Sequence, residues 1–559
     1  MKSSLLTLSA ILLLAGCSST NEPCRERSVT EVLSVATVAT DTRSEALPGI
    51  TTAPDVRVDD WWTRFGDDTL TRLIEKAHRA NHTLAAARAN LAAAQALWEF
   101  QRGGLFPQVD VGGDLTRSRT SDNGLSGRNR YTNYNLAATA RWELDLFGRQ
   151  RHLMNAAEAQ AEATEAELKA MWVSVSATVA NAYLELRTLQ GRLMVAEDNL
   201  KLQQANYDLQ ADRTAGGLTN ELVKNQAEYD LRSTSATIPS IKAQIVAIEN
   251  TLAILCGVTP GTLPTEIFAS NTKTMDVGAA LEQEDGAVRP AGLRPTGIPQ
   301  PELIPLDMGI SASALRRRPD VIAAERMLKA TVEEVDAAKA ERYPDIYITA
   351  ALGLESIHIG DLMDWESHFY RFGPGVTLPI FRGGQITANI KMKTEAQRAA
   401  FAHYEETVLL ALSDIRTAYS AYVNEQERLA QLRLGVQAAQ AAYEIASNKY
   451  NAGLGDFFDV LDAQRKLFLL DEARVVSEGA IAASQVALYK SLCGGWEGEA
   501  SVGVANQLFG NYSDEDPLLK SVEAPATPAE SEQPKFQIIA EDPATEDVEG
   551  ELFEESAAE

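Results

Sequence analysis

Four stretches limit the fold of this chain more than any other feature: Gln108 to Leu115, Tyr134 to Leu144, Ile346 to Leu354 and Phe369 to Ile380. In the first, Val109, Val111 and Leu115 alternate with Gln108, Asp110 and Asp114. In the second, Tyr134, Leu136, Ala138, Ala140, Trp142 and Leu144 alternate with Asn133, Asn135, Thr139, Arg141 and Glu143. Ile346, Ile348, Ala350, Leu352 and Leu354 repeat the pattern, and the fourth stretch is broken by glycines. Period two means strands with one apolar and one polar face. Each stretch is roughly the 9–11 residues that a tilted strand needs to cross a bilayer. Four strands cannot close a barrel, and an open sheet edge cannot face lipid. Strands that span a membrane would therefore need several chains in one barrel, and three chains would supply twelve. The alternative is a soluble sheet packed on helices, which fits poorly beside helical segments as long as those of this chain.

The strands belong to a duplication. "AAARANLAAAQALWEFQRGGLFPQVDV" (Ala85–Val111) is echoed by "IAAERMLKATVEEVDAAKAERYPDIYI" (Ile322–Ile348). Leu91, Phe106 and Pro107 match Leu328, Tyr343 and Pro344 at an offset of 237, as do Ala215-Gly216 with Ala452-Gly453 and Leu255-Cys256-Gly257 with Leu492-Cys493-Gly494. Phe147 matches Phe381 at 234, so the second copy lost three residues between its strands. The segments Arg149–Arg213 and Gln385–Tyr450 are proline-free, with one glycine each (Gly191, Gly435). At about 1.5 Å per residue each would make a helix about 100 Å long, too long for a globular bundle and suited to a coiled assembly. Further helices are expected over Thr83–Arg102, Thr219–Leu255, Pro319–Arg342 and Phe457–Leu492.

The N-terminus has Lys2, an apolar run from Leu5 to Leu14, then "LAGC" ending at Cys17. The run is a short secretory h-region rather than a spanning helix. The ending resembles a bacterial lipobox, in which Cys17 becomes the acylated first residue; Ser18 after it implies delivery to the outer membrane. An ordinary signal peptide with an incidental cysteine is the alternative. Net charge is −27, with 78 acidic and 51 basic residues, which excludes nucleic acid as a natural partner. From Ser513 onward there are 15 acidic residues and two lysines, so about half the excess lies in a tail that reads as disordered. No other segment has 18 uninterrupted apolar residues, so no transmembrane helix is expected.

The order strand–strand–long helix–turn–helix, twice, resembles the TolC-type outer-membrane factors, in particular the lipoprotein branch serving drug-efflux pumps. The motifs that carry it are "WWTRFGDDTLTRLIEKAHRANHTLAAA", "LFPQVDV", "RWELDLFGR", "SALRRRPDVIAAER", "ERYPDIYI", "LPIFRGGQ", "NAGLGDFFDVLDAQRKL" and "LYKSLCGGW", across roughly residues 60–496. The resemblance implies a mainly α fold with membrane β, assembled as a homotrimer with a shared 12-stranded barrel and a 12-helix periplasmic tunnel. Residues 1–16 would be the signal peptide, 17–60 a lipidated linker, 61–258 and 311–496 the two repeats, 259–310 an equatorial segment, and 497–559 a C-terminal segment. The implied protein is an outer-membrane efflux duct for small molecules, anchored by lipid and reaching into the periplasm. Its implied partners are a periplasmic adaptor (membrane fusion) protein, an inner-membrane pump and outer-membrane lipids.

The resemblance also places a gate at the helical tips. Gly216 and Gly453 match the tip turns, and Asp459 and Asp462 match the "DVLDA" carboxylates that ring the pore. Phe458 falls at an apolar constriction and Tyr450 at a latch position. Three copies of two aspartates would gather six carboxylates, which attract cations and disfavour full ionisation. For Asp459, capping or neutralising the helix start remains an equal alternative; Asp462 lies too deep to cap. The first tip departs, with Leu222 where the family often has aspartate and Glu221 beside it. Gly455 replaces a basic latch residue.

Catalytic and metal sites are not expected. His78 and His82 have helical ligand spacing but no acidic companion, and a solvated helix face explains them. No CxxC, GxSxG, Walker loop or dinucleotide fingerprint occurs, and no cofactor is implied beyond lipid on Cys17. Cys256 and Cys493 read either as a disulfide between the copies or, preferably, as two small buried apolar residues. The duct of a type I protein-secretion or metal-efflux system, a lipid-anchored enzyme and a periplasmic spacer remain as other readings.

Overall fold

A computed structural model describes residues 60–119, 130–263, 298–299 and 315–492. Cys17, Cys24, Cys493, most of the equatorial segment and the acidic tail lie outside the described residues. Contacts divide the chain after Gly498, and everything below concerns the first unit.

Seven α-helices and four strands are described. After a 3-10 turn at Trp61–Phe65 come α1 (Asp68–Ala80), α2 (His82–Gly103), β1 (Gln108–Arg119), β2 (Arg130–Leu144), α3 (Arg149–Ala215) and α4 (Glu221–Leu255). The second copy has α5 (Pro319–Ala340), β3 (Asp345–Ser356), β4 (His368–Thr377), α6 (Gln385–Asn451) and α7 (Phe457–Ser491). The expected elements are all present. β4 stops short of Ile380, at Thr377, which pairs with Asp345, the first residue of its partner β3.

The strands form one antiparallel sheet in the order β1-β2-β3-β4. Its register aligns the alternation of separate strands into two continuous faces. Val109, Ala140, Ala350 and Phe372 form one cross-strand row; Asp110, Thr139, Ala351 and Arg371 form the next, on the other face. The apolar face is uncovered, with Val109, Val111, Leu352 and Tyr370 all exposed. All the helices that flank the strands in sequence join one end of the sheet, and Arg119, Arg130, Ser356 and His368 lie at the other.

Helices α3 and α6 each have 67 residues, and α4 and α7 each have 35. Helices α2 and α4 pack along α3, α5 and α7 pack along α6, and α5 and α7 also pack on α3. Helix α3 thus joins the copies. Helix α4 is long and apolar enough by composition to cross a membrane, but it packs along α3.

Caps define the equivalence of the copies more finely than sequence identity does. His82 and Pro319 open matching helices and Gln108 and Asp345 open matching strands, at the expected 237. From the long helices onward the offset is 236: Arg149 with Gln385, Glu221 with Phe457, Leu255 with Ser491. Cys256 is therefore the counterpart of Leu492, one position from its sequence match.

Helix α1 and the turn before it have no counterpart among the described residues, and periodicity did not single them out. Asp67 caps α1 by accepting from the N–H groups of Thr69 and Leu70, and its other oxygen accepts from the Tyr183 hydroxyl of α3 at 2.7 Å. Trp61 is fully buried and stacks on Tyr489 of α7 at 5.3 Å. The expectation for His78 is corrected. Asn81 ends α1 and caps α2, so His78 and His82 lie on different helices. His78 is buried, stacks on Trp172 at 3.9 Å and hydrogen-bonds the Ser176 hydroxyl at 2.7 Å. Burial, assisted by the Arg88 charge, lowers its pKa to about 4, so the imidazole is neutral.

Candidate functional site

The second tip is built by a turn that a side chain would strain. Helix α6 ends at Asn451, Ala452 caps it, and Gly453 takes φ 72°. At the first tip the left-handed residue is Gly217 (φ 69°), whereas Gly216 is a cap at φ −79°. Gly216 lies in the turn as expected, but the position that needs glycine is Gly217.

Helix α7 then starts at Phe457. Its cap is Asp456, whose carboxylate accepts from the Phe458 N–H at 3.2 Å. Asp459 is thereby released from capping and sits in the first turn, where its negative charge complements the positive end of the helix dipole. Phe457, Val460, Leu461 and Gln464 point into the packing, and Phe458, Asp459 and Asp462 lie together on the exposed face. The structure thus brings the three expected gate residues to one side of two helical turns. Asp462 also meets Lys466, with Nζ to carboxylate at 2.7 Å. That exposed i,i+4 pair contributes about 0.3–0.5 kcal/mol, and its spacing is a local feature of the sequence.

Tyr450 is held from the opposite tip. Its phenol oxygen accepts from Arg213 at 2.6 Å and from the Gln210 amide at 2.9 Å, and the Arg213 guanidinium lies 4.8 Å from the centre of its ring. The basic residue that contacts Tyr450 thus comes from α3. Neither Arg213 nor Gln210 was singled out from the sequence; both lie on the last turns of a long helix whose polar residues all look solvated in one dimension. An open cleft of about 540 Å³ lies between the tips, lined by Thr219 and Val223 of the first and Tyr450, Leu454, Asp456 and Phe457 of the second.

Above the tips, the two hairpins meet through polar rungs. Asn206 donates to Gln464 at 2.8 Å, Gln464 donates to Asn199 at 3.3 Å, and Arg465 reaches Asp230 at 2.9 Å. Arg192 pairs with Glu472 at 2.6 Å. Cys256 is a free, fully buried thiol whose pKa is pushed up to about 11 by desolvation, as expected of a small core residue. Among the described residues no group of three His, Cys, Asp or Glu side chains could hold a metal ion.

Comparison with known proteins gives a consistent set of similarities. The family described as outer membrane efflux protein matches residues 73–258 and 310–494, which are the two repeats. The probable efflux pump outer membrane protein TtgC of Pseudomonas putida is 31% identical over 451 residues, covering 80% of this chain and 87% of that protein. The toluene efflux pump outer membrane protein TtgF of the same species is 28% identical over 449 residues, covering 79% and 86%. Among solved structures, the outer-membrane channel OprN superposes with a TM-score of 0.70 at 30% identity, covering 81% of this chain and 95% of that one. VceC from Vibrio cholerae gives 0.67 at 26% identity, covering 78% and 99%.

Proposed function

Because the chain belongs to the outer membrane efflux protein family, we propose that three copies close one passive exit duct, fed by an inner-membrane pump through a periplasmic adaptor. One observation carries this reading: a four-stranded sheet with an uncovered apolar face, both edges unpaired in one chain, is continuous at one end with two 67-residue helices. Twelve strands remove the edges that four leave open. In this reading the pump supplies the energy and the chain is a passive duct rather than an enzyme. TtgF is named for toluene efflux and ArpC of Pseudomonas putida for antibiotic efflux; small apolar or amphipathic molecules are the corresponding cargo here. Cys17 carries the lipid that holds the mature N-terminus at the outer membrane.

The tips form the gate. Phe458 narrows the pore, and Asp459 and Asp462 supply rings of negative charge that select cations on the way in. Tyr450, held by Arg213 and Gln210, latches the second hairpin to the first. The adaptor docks on the tips, where Leu218 and Leu454 occupy equivalent positions and are each 81% exposed. Opening separates the hairpins along their polar rungs, which exchange for water at a net difference of only about 1 kcal/mol each.

Single-channel recording tests this assignment. Replacing Asp459 and Asp462 together by Ala lowers cation selectivity and weakens block by multivalent cations from the periplasmic side. Phe458→Ala raises conductance and leaves selectivity alone. Unchanged selectivity and block in the double variant would remove the aspartates from the pore.

A further inference from the structure

The register sorts the charges of the sheet in a way that membrane crossing alone does not require. Residues directly opposite on paired strands share a face. Val109, Val111, Leu115, Arg117 and Arg119 of β1 thus share the outward face with Arg130, Tyr134, Leu136 and Trp142 of β2. The five acidic residues of the strands, Asp110, Asp114, Glu143, Asp345 and Glu355, all lie on the other face. There they meet polar or cationic groups: Asn135 bonds Asp114, Asn133 bonds Glu355, and Arg149 bonds Glu143. On the outward face Arg117, Arg119 and Arg130 are the only charged strand residues apart from the titratable His368, and all three are exposed.

Their depth is as selective as their face. The apolar rows run from Leu144, at the helix-bearing end, to Tyr134. At about 3.3 Å per residue and a tilt of roughly 40° this band is about 25 Å tall. Arg117 pairs with Thr132 and Arg119 with Arg130, two and four residues beyond Tyr134. They stand about 5 and 10 Å past the apolar band, at the level of lipid headgroups. Arg119 and Arg130 are also directly opposed. Two guanidiniums so placed can share one anion, whose oxygens match their donor forks. A chain with net charge −27 has placed like charges in opposition at the outer rim of a lipid-facing surface.

We propose that Arg117, Arg119 and Arg130 form a binding site for the phosphate groups of lipids in the outer leaflet of the membrane. The site rests on the reading of the sheet as a membrane barrel, and its occupant is a phosphorylated lipid headgroup rather than a free ion, because the arginines continue the acyl-facing surface. Guanidiniums suit it because their planar donor forks match phosphate oxygens two at a time.

The test uses the full-length protein in vesicles of phosphatidylcholine doped either with bis-phosphorylated lipid A or with the same glycolipid stripped of phosphate. Lipid retained after mild detergent extraction is read by native mass spectrometry. Wild type retains the phosphorylated lipid and not the stripped one. The triple variant Arg117→Gln, Arg119→Gln, Arg130→Gln binds it on the order of 100-fold more weakly, from about one headgroup-level charge interaction lost per arginine. Arg141→Gln, on the inner face, retains it as wild type does. Equal retention by the triple variant, or equal retention of the stripped lipid, overturns the site. A triple variant that dissociates into monomers in pure phosphatidylcholine assigns the arginines to the contact between copies and also overturns it. Wild type that fails to form conducting pores in pure phosphatidylcholine overturns the barrel reading itself, a result distinct from pores without lipid retention.

Discussion

Helices α3 and α6 have the same length and equivalent places in the two copies, yet they are buried differently. Buried residues of α3 number 26 and cover most of its circumference. Those of α6 number nine, at 404, 408, 411, 415, 418, 422, 429, 436 and 443. These intervals of three, four and seven define a single heptad stripe, the seam of a coiled coil. The cause is topological. Helix α3 is held by α2 and α4 of its own copy and by α5 and α7 of the other, whereas α6 packs chiefly on α5 and α7. Its remaining surface carries Met392, Leu409, Leu410 and Leu434, all exposed. One helix is covered within the chain, and the other leaves an apolar face uncovered.

The largest expected effect breaks that comparison directly. Leu184 of α3 is 1% exposed, so Leu184→Asp buries an unpaired carboxylate and costs more than about 4 kcal/mol; thermal denaturation should find no cooperative fold. Leu409 and Leu434 of α6 are 52% and 60% exposed. Replacing both by Asp should leave monomer stability within about 1 kcal/mol and abolish the trimer, as light scattering in detergent would register. A persistent trimer in that variant would make the exposed face of α6 something other than an interface.

A smaller effect sharpens the comparison through pH. His78 is packed against α3 with its pKa lowered to about 4 from 6.5. The unfolded chain therefore binds the proton more readily, so the stabilisation is complete above pH 6.5 and lost as pH falls toward 4. The loss is on the order of 3 kcal/mol. His78→Phe with Ser176→Ala should flatten that part of the stability profile. Substituting His403, on the exposed side of α6, should not change it. Identical profiles for wild type and the His78 variant would exclude the buried imidazole as the source.

The smallest effects concern the tips. Gly217→Ala and Gly453→Ala should each cost about 1–2 kcal/mol, because both glycines have positive φ. Gly216→Ala, at φ −79° with only ordinary contacts around an added Cβ, should be neutral or stabilise by up to about 1 kcal/mol. Urea denaturation of the three variants separates these outcomes, and a Gly216→Ala penalty equal to that of Gly217→Ala would restore the 237 offset at the first tip.

Much of this architecture is written locally. Period two in Tyr134–Leu144, the proline-free runs that become α3 and α6, and the glycines at the tips each report on their own segment, and strands and helices formed where those signals stood. The gate residues Phe458, Asp459 and Asp462 share a helix face because of i,i+3 and i,i+4 spacing, which is also a local property. Tertiary structure decided what depends on partners distant in sequence. Tyr450 finds Arg213 and Gln210 across 237 and 240 residues, and no periodicity marks such a pair. His78 and His82 read as one solvated helix face until Asn81 separates their helices and Trp172 covers the His78 ring. The outward arginines show the same limit: they lie beyond the alternating stretches of Gln108–Leu115 and Tyr134–Leu144, and only the cross-strand register placed Arg119 opposite Arg130. Local rules act through backbone geometry over a few residues, whereas these contacts arise only when packing brings distant segments together.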